Sequence, residues 1–163
     1  MKLPKRKSNR IKNYDYSQNG YYFITICTKD KQKLLCDIVG GGAYDAPKIV
    51  LSKAGETVDK YILSTKNIPG ITVDKYVIMP NHIHLLLSLE NKNGTSRAPS
   101  PTNNLISHSI STLKRFVGKE LGENIFQRSF YDHIIRGEKD YLEIWNYIDT
   151  NPAKWQEDCY YLQ

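Results

Sequence analysis

Apolar residues in this chain fall into short blocks, and the period of each block predicts an element. GYYFITICTK (20–29) is dense in β-branched and aromatic residues between a glycine and charges, which predicts a buried strand. CDIVGGGAYDAP (36–47) reads as a turn-rich loop, with KIVLS after it as a short edge strand. Across 53–64, Ala54, Val58, Tyr61 and Ile62 share one helical face. ITVDKYVIM (71–79) predicts a strand, Pro80-Asn81 a tight turn, and HIHLLLSL (82–89) an adjacent antiparallel strand. Residues 91–104 form a polar Pro/Ser/Asn loop. A helix is expected over 105–121, with Leu105, Ile106, Ile110, Leu113, Phe116 and Val117 inward and Asn103 or Asn104 as its cap. IFQRSFYDHIIR (125–136) predicts a last strand bent near Ser129. EKDYLEIWNYIDTN (138–151) predicts a last helix, with Tyr141, Ile144, Trp145 and Ile148 as its apolar stripe and Pro152 as its stop.

The order is β-α-β-β-α-β plus a C-terminal helix, which predicts an α+β, ferredoxin-like domain: an antiparallel sheet with helices packed on it. Such a fold says little about activity. No stretch approaches the ~20 apolar residues that cross a bilayer, and the basic N-terminus has no apolar run behind it. Cys27, Cys36 and Cys159 are scattered and odd in number, giving neither a disulfide framework nor a zinc knuckle. A cytoplasmic protein is the simplest expectation.

Charge changes the picture once it is located. The chain carries 23 Lys+Arg against 17 Asp+Glu. Lys2, Lys5, Arg6, Lys7, Arg10 and Lys12 fall within the first twelve residues, which hold no acid, so residues 13–163 are formally neutral. Residues 1–12 therefore read as a basic arm on a single domain spanning 13–163. Such an arm suits nucleic-acid phosphates and equally suits a solvated terminus.

Two of the four histidines lie two apart, in MPNHIHLLLSL. Strand alternation puts His82, His84, Leu86 and Ser88 on one face and Ile83, Leu85, Leu87 and Leu89 on the other, toward a core. Both imidazoles then project outward together and can reach one divalent cation. A pair of surface or hydrogen-bonded histidines fits the same spacing. Tetrahedral zinc lacks further Cys or His partners. Oxygen ligands beside imidazole would suit octahedral Mg²⁺ or Mn²⁺. On the last helix, Tyr147 has Glu143 and Asn151 at i−4 and i+4.

YFITICT, YVIMPNHIHLLL, FQRSFYDHIIR and YIDTNPAKW, in this order and spacing, resemble the single-tyrosine HUH transposases, and most closely the REP-associated tyrosine transposases. The resemblance covers roughly residues 10–158, and the family's fold agrees with the βαββαβ order. It implies His82 and His84 as metal ligands, Tyr147 as nucleophile and Asn151 as an amide ligand one turn on. Some members carry glutamine at that last place. Tyr131, in SFYDHII, ranks second as nucleophile because it sits on a predicted strand without an amide partner.

The implied activity is Mg²⁺- or Mn²⁺-dependent cleavage and strand transfer of single-stranded DNA through a 5′-phosphotyrosine. The implied partner is DNA with hairpin or palindromic sequence, bound by a monomer or homodimer. Lys5, Arg6, Lys7, Arg10 and Lys12 on the arm and Lys114, Arg115 and Lys119 on the 105–121 helix are the candidate DNA contacts. The competing readings are a domesticated DNA-binding module of the same fold and a non-covalent metal-dependent phosphodiesterase. The two-histidine phosphoesterases need a second H-x-[ST] motif that this chain lacks.

Overall fold

The computed structural model describes residues 18–41, 46–90 and 105–161. The basic arm, the 91–104 loop and the Asn103/Asn104 cap lie outside the described residues. Six strands form among the described residues: β1 Gly20–Cys27, β2 Cys36–Val39, β3 Lys48–Leu51, β4 Ile71–Met79, β5 His82–Leu89 and β6 Tyr131–Ile135. Three α-helices accompany them: α1 Lys53–Ser64, α2 Leu105–Leu121 and α3 Glu138–Thr150. β4, β5, β1 and β6 make one sheet in that order, with every pair antiparallel. The described core is therefore the expected α+β, ferredoxin-like arrangement, with β2 and β3 added as a separate two-stranded ribbon.

The alternation in β5 sorts the two faces. Ile83, Leu85, Leu87 and Leu89 join Ile24, Ile26, Ile106, Ile110, Leu113 and Val117 in a core under α1 and α2. Each such aliphatic side chain contributes roughly 1.5–3 kcal/mol on burial. The other face builds a smaller cluster from Val77, Met79, Leu86, Ile144, Ile148 and Trp155, covered by α3 and the segment after it. α1 begins at Ser52, whose side chain accepts from Gly55 N; this satisfies one of the free amides of the first turn.

Four differences from the sequence reading have local causes. Residues 36–39 are a strand because Ile38 pairs with Ile49 across the ribbon and both pack against the sheet. The strand expected over 125–136 is regular only from Tyr131, and Phe126 makes a single bridge to Thr28. The last α-helix does end at Thr150, just before Pro152, but the chain then tightens into an unexpected 3₁₀ helix, Asn151–Glu157, with the proline in its first turn, where a missing N–H costs nothing. Phe116 is 39% exposed and stacks on Tyr61 instead of turning inward.

In β4 the register slips between Val73 and Lys75, so Asp74 is an extra residue. This bulge lets Val73 face the α1/α2 core while Lys75 faces the other side. Asp74 then accepts hydrogen bonds from Ser88 Oγ (3.0 Å) and the Tyr141 hydroxyl (3.2 Å). Lys75 reaches Asp149 at 2.6 Å and lies over the Trp145 ring. The edge strand thus ties down α3, the helix that carries Tyr147.

Candidate active site

His82 and His84 share a face, as the strand period requires, but they do not face solvent. They are 0% and 1% exposed, because α3 and the following 3₁₀ turn lie over that face. β1 and β4 pair on both sides, so Cys27 and Met79 flank His82 while Thr25 and Val77 flank His84. The two Nε2 atoms stand 3.0 Å apart.

The neighbours of His82 settle where its proton lies. Asn81 Nδ2 donates to the carbonyls of Lys31 (3.2 Å) and Tyr160 (2.8 Å), which leaves Asn81 Oδ1 as the atom 2.8 Å from His82 Nδ1. Nδ1–H must donate to that oxygen, so Nε2 bears a lone pair. His84 Nδ1 lies 2.9 Å from Thr25 Oγ1. A hydroxyl can give or accept, so His84 can carry its proton on either nitrogen. Two arrangements satisfy the pair: a proton on His84 Nε2 donated to His82, or a cation between two lone pairs. Burial keeps both rings neutral. It pulls His82 down to about 4, with the Asp158 carboxylate opposing and Lys31 adding to the shift. His84 is held well below the usual imidazole range, first by burial and then by His82.

Tyr147 projects from α3 onto this pair. Its hydroxyl is 3.3 Å from His84 Nε2 and donates to Asp158 Oδ2 at 3.3 Å, and its ring meets Phe23 edge-on. It remains 38% exposed, so a substrate can reach it. Burial and the Asp158 charge raise its pKa well above the ordinary phenol range. Asn151, one turn on, is buried. Its Nδ2 donates to Asp158 Oδ2 at 2.9 Å, and its Oδ1 is buried with no partner among the described residues.

Asp158 was not singled out in the sequence. The 3₁₀ turn after Pro152 brings it back beneath α3, where its side chain is 1% exposed and Oδ2 lies 3.9 Å from His82 Nε2. Ligand atoms of His82, His84 and Asp158 all lie within 4.8 Å of one another, a spacing compatible with one divalent ion. Two imidazole nitrogens and a carboxylate make a mixed N/O donor set compatible with a divalent ion. Tyr160 completes the enclosure, its ring tilted over His82 at 4.6 Å between centroids. Only the bend at Pro152 hints in the sequence that residues 158–160 return to the site.

The other candidates fall elsewhere. Tyr131 is 49% exposed at the start of β6, and its ring reaches Tyr160 (6.5 Å) rather than the histidines. Lys114 is spent internally, donating to the carbonyls of Gln127 (2.9 Å) and Ser129 (2.8 Å), and burial lowers its pKa to about 8. Arg115 and Lys119 are exposed on α2, which packs on the sheet face opposite the histidines. Lys5, Arg6, Lys7, Arg10 and Lys12 lie outside the described residues.

A ferredoxin-like sheet bearing a His-x-His pair on its central strand, roofed by a helix-borne tyrosine, defines the HUH class. The chain belongs within it to the IS200-like transposase family, whose pattern matches residues 16–151. An uncharacterized protein of Haemophilus influenzae is 33% identical, covering 96% of this chain and 93% of that one. A second Haemophilus influenzae protein, named as a REP-associated tyrosine transposase, is 28% identical over 88% of this chain and 77% of its own length. A solved REP-associated tyrosine transposase bound to a REP hairpin shares the fold, with a TM-score of 0.60 at 22% identity over 95% of this chain and 74% of that one. Among the described residues, no helix is long and apolar enough to cross a membrane.

Proposed function

We propose that the protein cleaves and rejoins single-stranded DNA, with Tyr147 as nucleophile beside a divalent cation held by His82, His84 and Asn151. The observation that carries this reading is the convergence of the Tyr147 hydroxyl on His84 Nε2, itself 3.0 Å from His82 Nε2. Asn151 supplies its unpartnered Oδ1. When bound, Mg²⁺ or Mn²⁺ would polarise the scissile phosphate and favour the phenolate.

The chain's own residues then order the step. Neutral imidazoles present nitrogen lone pairs without a prior deprotonation. The Tyr147 hydroxyl gives its proton to Asp158 Oδ2 along the hydrogen bond already in place. These contacts place and orient the acceptor: Oδ2 accepts from Tyr147 and Asn151, while Oδ1 accepts from the Tyr160 amide. The phenolate oxygen attacks phosphorus in line; the Oη–P bond forms, the P–O3′ bond breaks, and the 3′ oxygen leaves and takes a proton. Fixed geometry supplies effective concentration to an otherwise poor nucleophile. The phosphodiester energy is conserved in the 5′-phosphotyrosine, so another strand's 3′-OH can reverse the reaction without ATP.

By likeness to the relative solved with a REP hairpin, the substrate proposed here carries a hairpin or palindrome. The arm cations and the exposed Arg115 and Lys119 are its proposed contacts away from the site; a monomer or homodimer satisfies this scheme equally. Incubation with hairpin DNA from the repeats flanking its own locus, plus Mn²⁺ or Mg²⁺, should give an SDS-resistant adduct. The adduct should disappear in His82→Ala and with EDTA. An adduct that persists in EDTA overturns the metal reading, and absence of any adduct favours a DNA-binding module.

A further inference from the structure

The groove beside Tyr147 is the wrong place to hold a polyanion. It encloses about 390 Å³ and is lined by Glu143, Glu157 and Asp158 against one cation, Lys154. Lys114 is occupied with backbone carbonyls, and α2 lies across the sheet from the histidines. The cations at the site belong instead to the loop that leaves β1.

That loop reads Lys29-Asp30-Lys31-Gln32-Lys33. Its backbone is unusual: Asp30 and Lys31, neither a glycine, both adopt the left-handed region, with φ of 52° and 53°. Non-glycine residues are held there only where surroundings enforce it. Here Thr28 Oγ1 donates to the Gln32 carbonyl at 2.8 Å, Lys29 N donates to the Ile125 carbonyl at 2.8 Å, and Thr28 N donates to the Asn81 carbonyl at 2.9 Å. The Lys31 carbonyl in turn accepts from Asn81 Nδ2, the amide that orients His82.

Two of the loop's lysines rest on aromatic rings of the segment that covers the histidines. Lys31 Nζ sits 5.3 Å from the centre of the Tyr160 ring, the ring that covers His82 at 4.6 Å. Lys33 Nζ lies 4.9 Å from the centre of the Tyr161 ring. Lys29, in the same loop, is exposed. None of the three ammoniums makes an ion pair among the described residues. Ammoniums resting on aromatic faces are positioned yet keep donors free, and the alternation of cation and ring suits a backbone with bases beside it.

We propose that Lys29, Lys31 and Lys33 form the phosphate track that delivers the single strand to the Tyr147 site. This rests on the DNA-cleaving reading above and names the surface through which that substrate enters. The strained loop fixes the phosphates relative to His82 through one hydrogen-bonded amide, so substrate register and the candidate metal site are set by the same segment.

The test uses the full chain carrying Tyr147→Phe, titrated with fluorescein-labelled dT20 across a salt series. Each lost phosphate contact should flatten the slope of log affinity against log salt by roughly 0.7. The triple variant Lys29→Gln/Lys31→Gln/Lys33→Gln should therefore flatten it by about 2, at an unchanged Tm. Lys48→Gln/Lys53→Gln/Lys66→Gln removes the same charge from sites elsewhere on the surface and should leave the slope close to the parent's. Equal slopes for the two triple variants overturn the phosphate track. Adduct formation by the unsubstituted protein on its flanking hairpin DNA is read separately. An adduct with equal slopes defeats this inference alone; a flattened slope without any adduct defeats the cleavage reading and leaves the strand contact standing.

Discussion

Asn151 donates to Asp158 Oδ2 at 2.9 Å, and this single hydrogen bond leaves the amide oxygen of Asn151 buried with no partner among the described residues. A buried acceptor left unmade costs about 1–3 kcal/mol. In the proposed site, a cation held by His82 and His84 and reached by Oδ1 would remove that cost. Mn²⁺ should therefore raise the Tm, by an amount that grows with its concentration over Kd. Asn151→Ala should weaken Mn²⁺ binding, read by titration calorimetry, by roughly tenfold or more. Equal affinity in Asn151→Ala would remove this residue from the ligand set.

Asp158 has two separable effects on Tyr147. Its charge helps raise the phenol pKa, and its Oδ2 accepts the phenol's hydrogen bond, the path proposed for the proton. Asp158→Asn should lower the Tyr147 pKa in an ultraviolet pH titration, because the opposing charge is gone. Adduct formation should nevertheless slow by about 10²–10⁴, the usual range for a lost general base. A faster variant would mean that Asp158 acts only through its charge.

The two histidines predict an acid-sensitive fold. Burial holds both pKa values below those of the unfolded chain, His82 at about 4. Between pH 6.5 and 4 the unfolded state therefore binds more protons. Stability is complete above about pH 6.5 and is lost as pH falls, at up to about 1.4 kcal/mol per pH unit for each histidine. Urea unfolding of the metal-free protein at pH 7, 6 and 5 should show this fall, and His82→Asn should shallow it.

Gly55 sits where the backbone leaves no room for a side chain. In α1, an added Cβ would collide with the Leu35 carbonyl. That carbonyl also accepts from Ser52 N, so the backbone cannot yield cheaply. Gly55→Ala should lower the Tm although alanine favours helix by about 1 kcal/mol. A raised Tm would show that propensity outweighs the clash.

Residues whose role follows from a local period were legible. Ile83, Leu85, Leu87 and Leu89 announce the core face of β5, and α1 and α2 appear over the spans their apolar stripes predict. Strand alternation also puts both histidines on one face, yet it cannot say what covers that face. Burial there comes from α3 and the 3₁₀ turn, which pack through contacts distant in sequence. Asp158 was hidden for the same reason, since its distance from His82 depends on how the chain turns after Pro152. Lys114 shows the converse limit: an amphipathic helix pattern marks a lysine as polar, whereas here it caps the carbonyls of Gln127 and Ser129. Asp74 breaks the period of β4 outright, because a bulge moves the later residues to the opposite face.

Tyr147, and not Tyr131 or Tyr160, is the residue proposed to take the covalent bond. The direct measurement is mass spectrometry of the adduct formed on flanking hairpin DNA with Mn²⁺, after digestion with nuclease and protease. The predicted result is a 5′-phosphonucleotide on the peptide containing Tyr147, absent in Tyr147→Phe and retained in Tyr131→Phe. A nucleotide on Tyr131 or Tyr160 in the unsubstituted protein would contradict it.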